Sequence, residues 1–425
     1  MRTSTLPHVR GEKPVRDAIE LEMQATGGIF RLAPAWVARP MMRPGHRMKL
    51  ADEYLTKDLA VNERWLASAT YADNGDYNAA CADDHGLSYI VLSGCKVLLK
   101  DAMLYAADML LGGKTWDVLP KFFDNWHRIP HHVHPCVDHL KPGLAPKPEA
   151  YHFPVELNIN RNAFPYTCIG VDEGYSDEQV RAYFRRYQSE DNHLTEIGHT
   201  INLIPGTGWY MPPCTLHAPG SLVTYELQAS SDVCCIPESR VEDVAMASGM
   251  FDRDLPVTVE RDGIESVAEF YLSIARCRNS GNRDNFRKEY FRPPVVVRDE
   301  DAGSQSYIVY RCGRSSEPSN PDLFSAKRTV VSSGHKLDLA EREAFGAVLL
   351  AGHGRVWVDG FAPVAVETAS YFPSRDFVGR DEIFVAASAA GKLRLECASA
   401  EDLALYQHFA SGANPEASSL GDSRA

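Results

Sequence analysis

The chain is 425 residues long, 44% hydrophobic and 24% charged, with a formal net charge of −13 at pH 7. That is an ordinary globular composition with room for two real cores, and its acidity argues against nucleic-acid or anionic-membrane partners, whose phosphates attract basic patches. No window approaches the run of about 18 apolar residues that a membrane-spanning helix needs.

In chain order, residues 1–44 hold a short amphipathic piece followed by Pro- and Arg-rich sequence, an arm expected to pack over the body. Val97 to Leu111 carries apolar residues at helical spacing and ends at Gly112-Gly113, which predicts a helix with a glycine stop. Ser176 and Gln179 have the spacing of a capping box, so a further helix is expected to start there. Its Arg181, Arg185 and Arg186 suit either an anion or a solvated face, and the solvated face is preferred. Residues 251–292 read as a helical connection, and Arg292-Pro-Pro-Val-Val-Val297 then restarts strand character after a proline break. From residue 293 to 410 short β-branched and aromatic runs alternate with Gly, Asp and Pro: Tyr307 to Tyr310, Ala347 to Leu350, Arg355 to Val358, Ile383 to Ala386 and Leu393 to Cys397. Short strands at this spacing predict a sandwich or barrel. Residues 411–425, rich in Ser, Gly and Ala, are expected to be a disordered tail. The ten cysteines include no Cys-x-x-Cys pair and no apolar stretch follows Met1 to Arg10, so the thiols read as reduced and the protein as cytoplasmic.

Chemistry concentrates between these elements. Six of the 15 histidines fall between His127 and His152. If Pro130 to Pro135 is extended, His132 and His134 share a face and can present two imidazoles to one ion. Glu149 follows a Pro/Gly-rich connection short enough to return the chain antiparallel beside that pair. His217 sits in the Pro-bounded loop Met211-Pro-Pro-Cys-Thr-Leu-His217. Three neutral imidazoles and a carboxylate suit one divalent transition metal, zinc foremost, with manganese, iron, cobalt or nickel open. His127, His131 and His139 read as ordinary structural or surface residues, as do His335 and His353. Cys214, three residues before His217, reads as a small apolar filler.

Three blocks resemble the type I mannose-6-phosphate isomerases, metal-dependent enzymes of the cupin superfamily. They are Asn62-Glu-Arg-Trp-Leu-Ala-Ser68; Leu119-Pro-Lys-Phe-Phe-Asp124 running into His132-Val-His-Pro135 and Lys147-Pro-Glu149; and Met211 to Ala218 with Tyr225-Glu-Leu-Gln-Ala-Ser-Ser-Asp232. The resemblance implies a mainly β chain of two cupin (jelly-roll) β-barrels with additional α-helices. Residues 45–250 would form the metal-binding barrel and residues 293–410 a degenerate barrel without His-x-His. It makes His134, Glu149 and His217 metal ligands, puts His132 where the family has glutamine, and sets Lys147 and Glu226 beside the sugar. The arginine that the family places shortly after Ser-Asp-Asn is missing from Asp232-Val-Cys-Cys-Ile-Pro237. A non-phosphorylated or unusual sugar is therefore expected.

The activity so implied is aldose-ketose isomerisation or epimerisation, with proton transfer through a metal-stabilised cis-enediolate. Lys147 and Glu226 are the candidate acid-base groups, Lys147 because a neighbouring cation should depress its pKa, Glu226 because partial burial should raise its own. Trp126, Tyr151 and Trp209 suit either an apolar wall for a pyranose or the core. Asp124 and Asn125 suit either sugar hydroxyls or a turn. The partner is a small carbohydrate, with no nucleic acid or membrane, and a homodimer is left open. Two alternatives stand: a cupin oxygenase or lyase on the same three-His, one-Glu set, and a non-catalytic sugar-binding cupin.

Overall fold

The computed structural model describes residues 1–55, 60–74, 84–160, 162–188, 190–277, 282–311 and 323–420. The chain is mainly β with several helices, in a cupin-like arrangement of antiparallel sheets. A seven-stranded sheet runs in the order Phe291–Arg292, Gly208–Met211, Glu149–His152, Thr224–Ala229, Val118–Phe123, Val61–Trp65 and Ala35–Ala38. A three-stranded sheet of His217–Ala218, Tyr166–Ile169 and His199–Asn202 accompanies it. Beyond residue 293, six of the strands join Ile29–Ala33, Tyr89–Leu92 and Cys95–Leu98 in one nine-stranded sheet. This sheet and a four-stranded sheet in the order Lys336–Leu339, Leu393–Cys397, His353–Val358 and Val364–Glu367 enclose a core of Ile29, Val331, Leu337, Phe345, Val356, Leu395 and Leu405.

The N-terminal arm is thus more than a cover. Ile29–Ala33 pairs with Glu382–Val385 in the C-terminal sheet, whereas Ala35–Ala38 pairs with Val61–Trp65 in the other. A second core, with Phe122, Tyr225 and Leu227 on one side and Ile308, Val348 and Tyr406 on the other, packs the two large sheets together. The same junction holds a buried ion cluster: Arg64 donates to Asp381 at 2.7 Å and to Glu382 at 2.8 Å, and the Ala67 N–H donates to Glu382 at 2.9 Å.

The predicted helix over Val97 to Leu111 forms later and in two pieces, Leu99–Tyr105 and Ala107–Leu111, after the strand Cys95–Leu98. Gly112 closes it at φ 58°, a left-handed cap that glycine adopts without a Cβ penalty. The capping box at Ser176 and Gln179 is complete and starts the helix Asp177–Arg185. Arg181 pairs with Glu178 and Glu269, and Arg185 with Glu178 and Glu265, so these arginines tie two helices at the surface. Helices Val259–Ala275 and Arg283–Tyr290 supply the helical connection. Residues 411–420 are not the expected loose tail. They carry the 3-10 helix Pro415–Ser419, Asn414 donates to Ser325 and Tyr307 donates to Glu416. Residues 421–425 lie outside the described residues.

Candidate metal centre

Residues 130–135 form no regular strand, yet the segment is extended and bridged on both sides, to His217 through His132 and to Cys235 through Val133. His132 N–H donates to His217 O at 2.9 Å and His217 N–H to His132 O at 3.0 Å. This two-way bridge aligns the first histidine pair with the third. Helices Asp177–Arg185 and Val259–Ala275 pack behind it on Val133, Leu216 and Cys235. Glu149 arrives differently from the expected hairpin return. It opens a strand inside the seven-stranded sheet, opposite Met211 on one neighbour and Gln228 on the other.

Ligand atoms of His132, His134, Glu149 and His217 all lie within 4.8 Å of one another, and all four residues are buried. Each imidazole is turned the same way. Nδ1 bonds a backbone carbonyl, Pro130 for His132 at 2.8 Å, Val233 for His134 at 2.7 Å and Thr215 for His217 at 2.8 Å. Nδ1 must donate in such a bond, so each Nε2 is left bare and faces the cluster, the orientation that ligating histidines adopt. His134 Nε2 lies 3.0 Å from Glu149 Oε1 and His217 Nε2 3.4 Å from Glu149 Oε2. His134 Nε2 has no hydrogen-bond partner despite that proximity, an orphaned buried acceptor beside a carboxylate. Lone pairs converging without a proton between them fit a divalent cation.

The electrostatics agree. Burial first, then the neighbouring His217 and His134, hold the His132 pKa well below the ordinary value. Burial lowers that of His134 to about 4. Burial by itself would raise Glu149, but His134 and Lys147 outweigh it and hold the carboxylate ionised.

Around the cluster lies a cavity of ≈ 770 Å³ including its open mouth, lined among others by Arg39, Glu63, Lys121, Lys147, Tyr151, Glu226, Asp232 and Arg253. Lys147 Nζ is 2.8 Å from Glu149 Oε1, and Lys121 Nζ is 3.4 Å from Glu226 Oε2. Burial pushes the Glu226 carboxyl well above its usual range, and Glu149 adds to this. Burial lowers the pKa of the Lys147 ammonium, but the neighbouring Glu149, Glu226 and Asp232 outweigh it and hold the group above its ordinary value. Tyr151 lines the cavity with its hydroxyl donating to Glu149 and 3.1 Å from His217 Nε2.

The other expected sugar contacts fall elsewhere. Trp209 is buried in the core against Phe286 and Phe291, the Arg43 guanidinium covers Trp126, and Asp124 is buried and held by Arg47 at 2.7 Å. Sequence patterns assign no role to five of these cavity residues: Arg39, Glu63, Lys121, Asp232 and Arg253. Glu63, Lys121 and Asp232 nevertheless stand in the resembling blocks, which was the available signal. Among the described residues the C-terminal half holds no comparable donor cluster. A second cluster, Cys136, His139 and Cys214, borders the first, and Cys136 and Cys214 are disulfide-bonded rather than reduced.

No protein-family model matches the chain, and no curated protein matches its sequence. Solved structures match its fold. The mannose 6-phosphate isomerase from Bacillus subtilis aligns at a TM-score of 0.57 and 14% identity, covering 90% of this chain and 99% of that one. A mutant of phosphomannose isomerase from Salmonella typhimurium aligns at 0.55 and 11%, covering 90% and 100%. A zinc-bound mannose 6-phosphate isomerase aligns at 0.55 and 12%, with the same coverage. The chain therefore has the fold of the mannose-6-phosphate isomerases, at identities that speak to the fold alone.

Proposed function

We propose that the chain is a metal-dependent sugar isomerase or epimerase whose active site is the cavity at His132, His134, Glu149 and His217. The observation that carries this reading is the convergence of three imidazole Nε2 atoms and one carboxylate beside a cavity lined by charged and apolar side chains, on a fold shared with mannose 6-phosphate isomerases. A divalent ion held by those four side chains would supply the positive charge that stabilises neighbouring sugar oxygens as a proton leaves the carbon next to the carbonyl. Zinc is the first candidate, since a zinc-bound protein is among the structural neighbours.

The chain's own groups do the rest. Lys147 and Glu226 line the cavity on the side of Glu149 and are the groups placed to take and return the proton. Tyr151 keeps the Glu149 carboxylate in fixed orientation by donating its hydroxyl proton to it, with the phenol oxygen 3.1 Å from His217 Nε2. The substrate in this reading is a sugar without phosphate, because each cation of the cavity already faces a carboxylate. Arg39 sits 3.2 Å from Glu63 and 3.5 Å from Asp232, Lys121 and Lys147 are engaged as above, and Arg253 pairs with Asp73. A small carbohydrate partner and a cytoplasmic setting go with this reading.

The test is a deuterium-exchange screen of the metal-loaded protein over free and phosphorylated sugars. Solvent deuterium entering C2 of a free sugar, without oxygen consumption, supports the proposal. A second reading, an oxygenase or lyase, draws on His132, which makes the donor set three imidazoles and one carboxylate. Native iron with dioxygen uptake and no exchange would favour it. Sugar binding with neither exchange nor turnover would leave a binding protein.

A further inference from the structure

We propose that Cys136 and Cys214 form a thiol–disulfide exchange site that sets how tightly the neighbouring metal centre holds its ion. The inference rests on the metal centre described above and on no particular substrate.

The two cysteines are 78 residues apart in sequence, with Cα atoms separated by 5.3 Å, a spacing that a disulfide spans without backbone movement. Cys136 is two residues beyond His134 and Cys214 three residues before His217. The segments that carry them run antiparallel: His132 and His217 exchange backbone hydrogen bonds, and the Cys214 N–H donates to His134 O at 2.7 Å. The disulfide is therefore the covalent continuation of the ladder that positions three of the four donors. Cys214 holds φ 64°, a left-handed backbone that a side chain with a Cβ adopts at a cost, so the segment leading to His217 is kept there by its contacts. Opening the disulfide removes the strongest of those contacts and lets the His217 segment relax away from the cluster.

The site is reachable from solvent on one side only. Cys136 is half-buried and Cys214 is fully buried. The His139 ring lies against the pair, its Nδ1 3.0 Å from Cys136 Sγ and 3.7 Å from Cys214 Sγ. An incoming low-molecular-weight thiol meets Cys136 first, forms a mixed disulfide there and releases Cys214 as the thiol. A second thiol completes the exchange. The balance is one protein disulfide plus two glutathione thiols giving two protein thiols plus one glutathione disulfide, with both protons ending on Cys136 and Cys214. The reverse reaction, with glutathione disulfide as oxidant, closes the clamp. In a reducing compartment such a pair is in exchange rather than permanently locked.

The experiment compares the zinc affinity of the full-length protein, by chelator competition, after oxidation with glutathione disulfide and after reduction with a phosphine. The Cys136→Ser, Cys214→Ser double variant is treated identically. The oxidised wild type should show two fewer thiols on denaturation than the reduced protein and hold zinc about tenfold more tightly, the scale on which supports of metal ligands act. The double variant should match the reduced wild type and ignore both reagents, which separates the clamp from chelation by the reductant. Equal affinity in the two states, or an equal response of the variant, overturns the proposal. A second equivalent of zinc taken up by the reduced wild type and lost in His139→Ala overturns it in favour of a separate Cys/His metal site. A protein that binds zinc in neither state overturns the metal centre itself and the clamp with it.

Discussion

The two halves of this molecule differ in where their buried polar groups converge. In the C-terminal half a buried network closes on itself, Lys327 donating to Glu341 at 2.7 Å, Thr329 to Gln407 at 2.6 Å and Gln305 to Thr329 at 3.0 Å, and the partnerless Ser374 Oγ, Asp381 Oδ1 and His408 Nε2 join no metal-donor cluster among the described residues. In the N-terminal half His134 Nε2 and Glu226 Oε1 are buried without a hydrogen-bond partner, and the His132, His134 and His217 rings spend their Nδ1 protons on backbone carbonyls. A satisfied network stiffens a core, whereas converging unsatisfied acceptors mark a place built for something else. Antiparallel sheets thus carry a closed polar network in one half and a converging donor cluster in the other.

The largest effect should come from removing one of those acceptors. His134→Ala is expected to abolish stoichiometric metal binding and turnover while the circular dichroism spectrum stays native, because the C-terminal core does not depend on the centre. Stoichiometric metal in that variant would count against the ligand set. Next come Lys147→Ala and Glu226→Gln, which should each lower C2 exchange by about 10²- to 10⁴-fold with the metal retained. A loss of metal equal to the loss of rate would recast both as supports of Glu149.

Arg64→Ala attacks the junction between the halves. It strands Asp381 and Glu382 in the interior and should destabilise the fold by about 3–5 kcal/mol, read by denaturant unfolding, while metal affinity in the folded protein is unchanged. The effect of pH is the smallest when taken over a single pH unit. Burial lowers the pKa of His152 to about 3, with Arg328 adding to it, and burial lowers that of His408 to about 3. The unfolded chain, with histidines near about 6.5, then binds more protons between these values, so stability is full above pH 6.5 and falls as pH drops toward 3. Each histidine contributes about 1.4 kcal/mol per pH unit in that window. His408→Gln should flatten the slope by one histidine's share, and an unchanged slope would show that His408 is solvated in solution.

Much of the centre was legible because its signals are local. His132 and His134 are two apart in an extended stretch, His217 is bounded by prolines, and the blocks around them resemble a known family. Elements also declared themselves where the signal was short-range, as at Ser176 with Gln179 and at Gly112. What stayed hidden was long-range. Pairing of Ile29–Ala33 with Glu382–Val385 joins residues some 350 positions apart in the chain, and no local pattern encodes it. Trp209 and Asp124 resembled sugar contacts by proximity in sequence, but strand alternation turns Trp209 into the core, and Asp124, just past the strand Val118–Phe123, is taken by Arg47. The Cys136–Cys214 pair was invisible for the same reason: cysteine spacing alone does not reveal which segments fold side by side.

The most direct test of the central claim is anomalous diffraction from crystals of the metal-loaded protein, recorded at the absorption edge of the ion found by elemental analysis. A single strong peak is expected within bonding distance of Nε2 of His132, His134 and His217 and of the Glu149 carboxylate. No peak there, or an ion seated elsewhere with those four side chains bonded only to one another, would contradict it.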